Sequence, residues 1–308
     1  MEAKYDEALN QLLALGLDAT RSENLGNHCT YRVGGDAGVF VEVHAMGELE
    51  SIAKVSADTG LNILVVGKGS NMLVSDNGFD GIAIKLGKEF DFVDITETVV
   101  RAGGITFMPI VARKSVDAAL TGFEWAVGVP GSIGGGVRMN AGGHGSDMAA
   151  SLTEVKVFDL ATGELHTKTP DQLELGYRTS NISSNEIVVE ATLGLDPGDY
   201  DKSKAELSEI VQWRRANQPG GQNAGSVFAN PEGNHSAKLI EAAGLKGYVL
   251  NTAMVSDKHS NFIQAGADGS ADDVYALISH IKGVIKESDG LELRVENKLI
   301  GFDEDINP

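Results

Sequence analysis

The sequence predicts a mixed α+β or α/β fold in two parts, and three observations carry that prediction. Short β-rich runs are interleaved with amphipathic stretches through the first two-thirds of the chain, which excludes a β-sandwich. A polar turn cluster, Asp196-Pro197-Gly198-Asp199, closes a strand and marks the best domain boundary. Beyond it the pattern changes to capped helices. At 308 residues the chain is long enough for two domains and a substantial core.

In chain order, Leu9, Leu12, Leu13 and Leu15 predict a short amphipathic helix over 3–16. Thr30–Gly35 leads into a strand at 39–43, and a helix over 47–58 precedes a buried strand at 61–66. Strands follow at 82–86, 90–95 and 98–101, then a helix near 105–119 and a glycine-rich stretch. Runs 154–160 and 186–195 read as strands, with Gly163 in a turn. Ser203-x-x-Glu206 has a capping-box pattern and opens a helix through Trp213. Ser270-x-x-Asp273 caps another, whose stripe is Val274, Leu277, Ile278, Ile281, Val284 and Ile285; Gly290 ends it. Alternation of Leu291, Leu293 and Val295 with charged residues predicts a terminal strand. There are no internal repeats.

Lys plus Arg (25) against Asp plus Glu (44) gives a net charge of −19. Such a field repels nucleic acid and anionic membranes, so neither is an expected partner. An anionic substrate would need a locally basic pocket. Cys29 is the single cysteine, which excludes an intrachain disulfide and reads as a small apolar residue. The N-terminal residues carry no apolar signal core, and no run approaches ~18 apolar residues. A cytoplasmic protein is expected.

Residues 128–142 are the most informative stretch. Six of the fifteen are glycine, with Pro130 stiffening the run, Asn140 near its end, and apolar residues between. Linkers are rarely apolar, so an ordered loop is favoured over a flexible one. Glycine at this density lets backbone approach a ligand closely, and successive N–H groups form a concave anion site suited to phosphate. A second glycine turn, Gly67-Lys68-Gly69-Ser70-Asn71, follows the strand at 61–66 but lacks the third glycine of a dinucleotide fingerprint. Either turn can hold a phosphate.

Four further segments carry reactive side chains. Arg178, in Gly176-Tyr177-Arg178-Thr179-Ser180, suits bidentate binding of a carboxylate or phosphate, and alone it reads as a surface arginine packed on Tyr177. Ser226, in Gly225-Ser226-Val227-Phe228-Ala229-Asn230-Pro231, can donate a proton to a carbanion; alone it is a turn serine. Asp257–Ile263 lines a cleft or forms a solvated loop. Strand alternation sets Glu296 opposite Leu291, Leu293 and Val295, as an acid or a partner to an arginine, or simply on a solvated face. No His, Cys, Asp or Glu spacing matches a metal site.

Taken in order, Thr30–Gly35, Gly67–Asn71, Gly128–Gly142, Gly176–Ser180, Gly225–Pro231, Leu245–Gly247, Lys258–Phe262 and Glu296–Gly301 make the chain resemble the UDP-N-acetylenolpyruvoylglucosamine reductases. The likeness runs from about residue 22 to 303. It implies an α+β protein: an N-terminal helix (1–22), an FAD-binding domain of the vanillyl-alcohol-oxidase type (23–197), and a smaller α/β substrate-binding domain (198–308). It implies bound FAD and NADPH as co-substrate, with reduction of an enolpyruvyl ether of a UDP-sugar to a lactyl ether for peptidoglycan precursor synthesis. In the family the hydride reaches substrate C3 from flavin N5.

Carried over by motif, Gly67, Gly69, Ser70 and Asn71, with Gly128, Pro130, Gly131, Ser132, Gly134, Gly135, Asn140 and Gly142, are the expected cofactor-binding residues. Arg178 and Glu296 match the pair that polarises the substrate carboxylate, and Ser226 matches the serine that protonates C2. Tyr177, Asn230 and Lys246 match substrate contacts, and Lys246 would add positive charge against the acidic background. A monomer is favoured. The chain departs from the family pattern at Ala229, where a lysine is expected after Gly-Ser-x-Phe. Its short connections place it with the shorter-loop subtype. The competing expectations are another flavin oxidoreductase of the same fold and a binding protein without turnover.

Overall fold

The structure is a computed structural model describing residues 1–302. They fall into two compact units: residues 1–21, 38–68 and 81–214 form the first, and residues 22–37, 69–80 and the chain from Arg215 onward form the second. This differs from the linear division expected at 22/23 and 197/198. The N-terminal helix Glu2–Ala14 buries Tyr5, Ala8 and Leu12 in a core of the first unit, while Leu13 and Leu15 stay exposed. The helix Tyr200–Asn217 sends Leu207 and Ile210 into the other core of that unit. Cys29, Tyr31, Val33 and Leu73 are instead buried with the apolar residues of the second unit.

The first unit holds two sheets. One has strand order Asp18–Arg21, Ala37–Val43, Phe79–Leu86, Asn62–Val66, antiparallel at its first pair and parallel at its last. It packs under the helices Glu2–Ala14 and Met46–Thr59. The other is antiparallel throughout, in the order Glu164–Lys168, Leu152–Asp159, Glu186–Gly194, Val99–Gly103, Val93–Thr96. The helix Met108–Asp117 packs on it, shorter at both ends than the spacing predicts because Phe107 is extended and Ala118 breaks the last turn. Its N–H groups are met in part by the glycine-rich segment, since Met108 N–H donates to Gly131 O at 2.9 Å.

In the second unit, Val249–Leu250, Ala253–Val255 and Ile263–Ala265 form a small antiparallel sheet, and Met72–Val74 pairs in parallel with Lys298–Ile300. The helix Ala271–Asp289 follows its sequence signals closely. Ser270 Oγ accepts from Asp273 N–H at 3.2 Å, Val274, Leu277, Ile278, Ile281 and Ile285 are buried, and Gly290 ends it at φ +69°. Two expectations fail. The helix after the boundary starts at Tyr200, so Ser203 is no cap; its hydroxyl donates to Glu124, and Asp199 Oδ1 takes the Lys202 N–H. Residues 291–296 alternate in burial without forming a regular strand; they lie against the Val227–Ala229 segment, with a bridge between Phe228 and Val295.

Three carboxylates of the first unit tie this fold to pH. Burial disfavours the charge on Glu124, but hydrogen bonds from Ser203 (2.6 Å), Thr121 (2.7 Å) and the Gly122 N–H (2.7 Å) outweigh it and lower the pKa. Burial opposes the charge on Glu190 too, and the Arg101 fork at 3.0 and 2.8 Å with Lys156 at 3.2 Å reverses the balance. Glu186 is lowered likewise, by Lys168 and the Ser183 N–H. A carboxylate with a depressed folded pKa adds stability above its unfolded value, ~4.3, and loses it as pH falls through the folded value. Through these carboxylates the thermal midpoint should fall as pH drops below about 4.3. Ser203→Ala should weaken that acid dependence as well as the midpoint.

Candidate functional site

A cleft in the first unit gathers part of the predicted glycine set. Gly67, Ser132, Gly134 and Gly135 line it, with walls of Val66, Leu86, Ile105 and Ile187 and with Arg138 and Glu186. The glycines make close approach within the chain: a Cβ on Gly67 would sit 2.7 Å from Ser132 Oγ, and one on Gly134 would sit 3.0 Å from Gly104 O. Residues 133–138 form a short helix that composition did not predict. Its presence corrects the picture of a concave run of free amides. The N–H groups of Gly131, Ile133, Gly134 and Gly136 donate to Val129, Thr106, Gly104 and Ser132 carbonyls at 2.8–2.9 Å, and Gly135 N–H to Ser132 Oγ at 3.3 Å. The glycines bring strands and helix together more than they present donors.

The remaining residues of the long stretch are structural in their visible contacts. Gly128 is buried, and its carbonyl accepts from Arg214. Pro130 is exposed. Gly142 lies in a two-residue strand paired with Ser146–Asp147. Asn140 is buried, and its amide is fully engaged: Nδ2 donates to Gly176 O (2.9 Å) and Asp147 Oδ2 (3.2 Å), and Oδ1 accepts from Ala149 N–H (3.0 Å). Asn140 thus anchors the turn that carries Arg178.

That turn is closed by two backbone hydrogen bonds between Gly176 and Thr179, at 3.0 and 3.3 Å. Tyr177 and Arg178 occupy its centre, with Arg178 at φ +59°, a left-handed conformation that costs a non-glycine residue on the order of 1–3 kcal/mol. Ser180 Oγ donates to Arg138 O at 2.7 Å and fixes the exit of the turn. The guanidinium stands 5.5 Å from the centre of the exposed Tyr177 ring.

In the second unit the structure brings the segments of Ser226 and Glu296 together. Glu296 N–H donates to Val227 O at 2.7 Å, and Ala229 N–H donates to Arg294 O at 3.0 Å. Both side chains of interest are half-buried. Two asparagines hold this pairing, and neither was singled out from sequence. Asn261 Oδ1 accepts from Phe228 N–H (2.9 Å), its Nδ2 donates to Phe228 O (2.8 Å), and its carbonyl takes Val227 N–H (2.9 Å). Asn297 Nδ2 donates to Ala224 O (3.1 Å) and Asn71 Oδ1 (2.9 Å), while Asn71 Nδ2 donates to Glu296 O (3.0 Å). Tyr31, fully buried, completes the network at 3.3 Å from Asn297 Oδ1. The signal for Asn261 was its place in the polar run 257–263, which reads as cleft lining or loop but not as a clamp. Asn261→Leu removes two buried side-chain hydrogen bonds while keeping volume, and should cost about 2–4 kcal/mol of stability. Chemical denaturation checks this.

The other predicted residues are distributed around that centre. Gly69, at φ +61°, packs so tightly on residue 28 that a Cβ would meet His28 O at 2.1 Å; Ser70 is half-buried beside it. Asn230 is exposed and accepts from Ser236 N–H at 3.1 Å, capping the helix Ser236–Ala242. Lys246 is exposed and pairs with Glu241 at 3.1 Å. Ala229, where a lysine was expected, is buried at 5 % exposure. A larger groove of about 600 Å³ on the first unit, lined by His144, Lys202, Glu206, Glu209 and Trp213, presents two carboxylates and does not suit a phosphate.

Comparison with known proteins bears on both units. A family model for the C-terminal domain of UDP-N-acetylenolpyruvoylglucosamine reductase matches residues 216–300, and a model for an FAD binding domain matches residues 37–169. The chain is 38% identical over 301 residues to the UDP-N-acetylenolpyruvoylglucosamine reductase of Halalkalibacterium halodurans, covering 96% of this chain and 99% of that protein. It is 36% identical to the same enzyme of Bacillus subtilis over 283 residues, 91% of this chain and 93% of the other. The crystal structure of UDP-N-acetylenolpyruvylglucosamine reductase from Thermus caldophilus matches with a TM-score of 0.80 at 31% identity, covering 92% of this chain and 98% of that one. The lining of the first-unit cleft suits part of an FAD, since its aliphatic walls can pack on a planar ring. No helix among the described residues is long and apolar enough to cross a membrane.

Proposed function

The chain belongs to the UDP-N-acetylenolpyruvoylglucosamine reductase family, with an α+β fold of an FAD-binding domain followed by the family's C-terminal domain, and we propose that it performs the family's reaction. The substrate is UDP-N-acetylglucosamine enolpyruvate, a UDP-sugar; the product is UDP-N-acetylmuramate, a peptidoglycan precursor; NADPH is the reductant. Bound FAD supplies the two-electron relay between NADPH and the enolpyruvyl double bond. The observation that carries the reading is the hydrogen-bonded pairing of the Ser226 segment with the Glu296 segment, which seats two of the three expected catalytic side chains on one clamped frame.

The chemistry asks two things of the protein. Reduction at C3 leaves negative charge at C2, shared with the carboxylate, so a cation must meet the carboxylate and an acid must meet C2. Arg178 meets the carboxylate with a fork of donors, and Glu296 helps polarise it. Ser226 delivers its hydroxyl proton to C2 and regains one from water; beside a developing enolate it needs only hydrogen-bond distance. Asn261 and Asn297 hold the frame on which Ser226 and Glu296 sit, and Asn140 holds the turn of Arg178. Tyr177, Asn230 and Lys246 are proposed to contact the UDP-sugar, the last exchanging its pairing with Glu241 for an anionic group of the substrate. Gly67, Gly69, Ser70 and Asn71, with Gly128, Pro130, Gly131, Ser132, Gly134, Gly135, Asn140 and Gly142, are proposed as the FAD contacts.

We place the enzyme in the cytoplasm, supported by a single buried cysteine that forms no disulfide, and take it to be a monomer. Incubation of the purified protein with NADPH and UDP-N-acetylglucosamine enolpyruvate, followed by mass spectrometry, tests the activity. A product heavier by two hydrogens, formed only with the protein present, supports it; recovery of unchanged substrate alongside an active control from Bacillus subtilis contradicts it.

A further inference from the structure

One cation in the first-unit cleft has no role in the reading above. Arg138 ends the helix Ile133–Arg138, one turn beyond Gly134, and lines the cleft together with Gly67, Ser132, Gly134 and Gly135. Its backbone is fixed there, because its carbonyl accepts the Ser180 hydroxyl at 2.7 Å. Its guanidinium is half-buried, and burial pushes its pKa down while Glu186 pulls the other way. Glu186 does not serve it as a dedicated partner: that carboxylate is engaged by Lys168 and by the Ser183 N–H at 2.8 Å. Among the described residues, Arg138 has no ion pair within 4.0 Å.

Two further observations turn this cation toward an anionic ligand. The amides of Gly131, Ile133, Gly134 and Gly136 are engaged within the protein, so the loop itself offers little charge compensation. The chain carries a net −19, which a diphosphate must overcome locally. A guanidinium held partly out of water beside close-approach glycines matches phosphate geometry through two parallel N–H donors. We infer that Arg138 binds the pyrophosphate of FAD in this cleft. The inference rests on the reading that the chain holds FAD, and adds a side chain that is not among the expected cofactor contacts.

The test follows FAD release from the holoenzyme, using the rise in flavin fluorescence on dissociation, at a series of KCl concentrations. Arg138→Gln should raise the FAD dissociation constant about ten- to hundred-fold and flatten its salt dependence, and Arg138→Lys should recover part of the loss. Thermal unfolding of the flavin-free proteins is the second readout: wild type and Arg138→Gln should unfold together, with excess FAD raising the variant's midpoint less. Wild-type affinity in Arg138→Gln overturns the inference. So does a weakened affinity accompanied by an equal fall in stability of the flavin-free variant, which assigns Arg138 to packing. A wild-type protein that holds no FAD at any salt concentration defeats the functional reading itself, and the inference with it.

Discussion

Ser226→Ala is expected to separate the two half-reactions of the enzyme. In an anaerobic stopped-flow experiment NADPH should bleach the flavin of the variant at a rate close to wild type. Reoxidation by UDP-N-acetylglucosamine enolpyruvate should then slow by about 10²–10⁴-fold, the usual contribution of a positioned acid. The reason is that the Ser226 hydroxyl enters only when charge develops at C2. The backbone there is held by Asn261 and by the Glu296 N–H, so removing one oxygen from a half-buried side chain leaves the frame intact. Equal losses in both halves would assign Ser226 to cofactor contact or folding and sink its role as proton donor.

Arg178→Ala carries the second large effect. Turnover should fall about 10²–10³-fold, as for removal of one donor from a site of developing negative charge. Arg178→Lys should restore only part of it, since an ammonium keeps the charge but not the fork. Arg178→Ala keeps the strain at φ +59°, so its stability change should be small, whereas Arg178→Gly relieves that strain and should be neutral or stabilising. A native residue strained at a turn centre, with Asn140 and Ser180 fixing the chain around it, is what a positioned functional side chain produces. Activity retained in Arg178→Gly would contradict the assignment, because that variant keeps the turn and loses only the guanidinium.

Local signals were legible in the sequence and long-range ones were not. The helix Ala271–Asp289 announces itself through Ser270, Asp273, its apolar stripe and Gly290, all within one stretch of chain. The strand Asp18–Arg21 has no apolar run to betray it, and Met72–Val74 with Lys298–Ile300 forms a pair of three-residue strands from opposite ends of the sequence. Such pairings also make the units discontinuous: Tyr31 and Leu73 join a core built mostly from the chain after Arg215, which no linear boundary could express. The site follows the same division. Ser226, Arg178 and Glu296 stand in motifs of distinctive composition. Asn261 and Asn297 act through hydrogen bonds to distant backbone, and an asparagine in a polar run looks the same whether it clamps a strand or faces water. The glycine composition of 128–142 predicts close approach to a ligand; the close contacts in the structure are within the chain, and composition could not reveal that most of the amides already have partners.

Anaerobic stopped-flow absorbance of the wild-type flavin band tests the central claim most directly. The protein reduced by NADPH is mixed with UDP-N-acetylglucosamine enolpyruvate. Rapid return of the oxidised flavin spectrum, one flavin per substrate consumed, is the predicted result. Bleaching that persists after the substrate is added would contradict the account, leaving a flavin reductase whose acceptor is some other molecule.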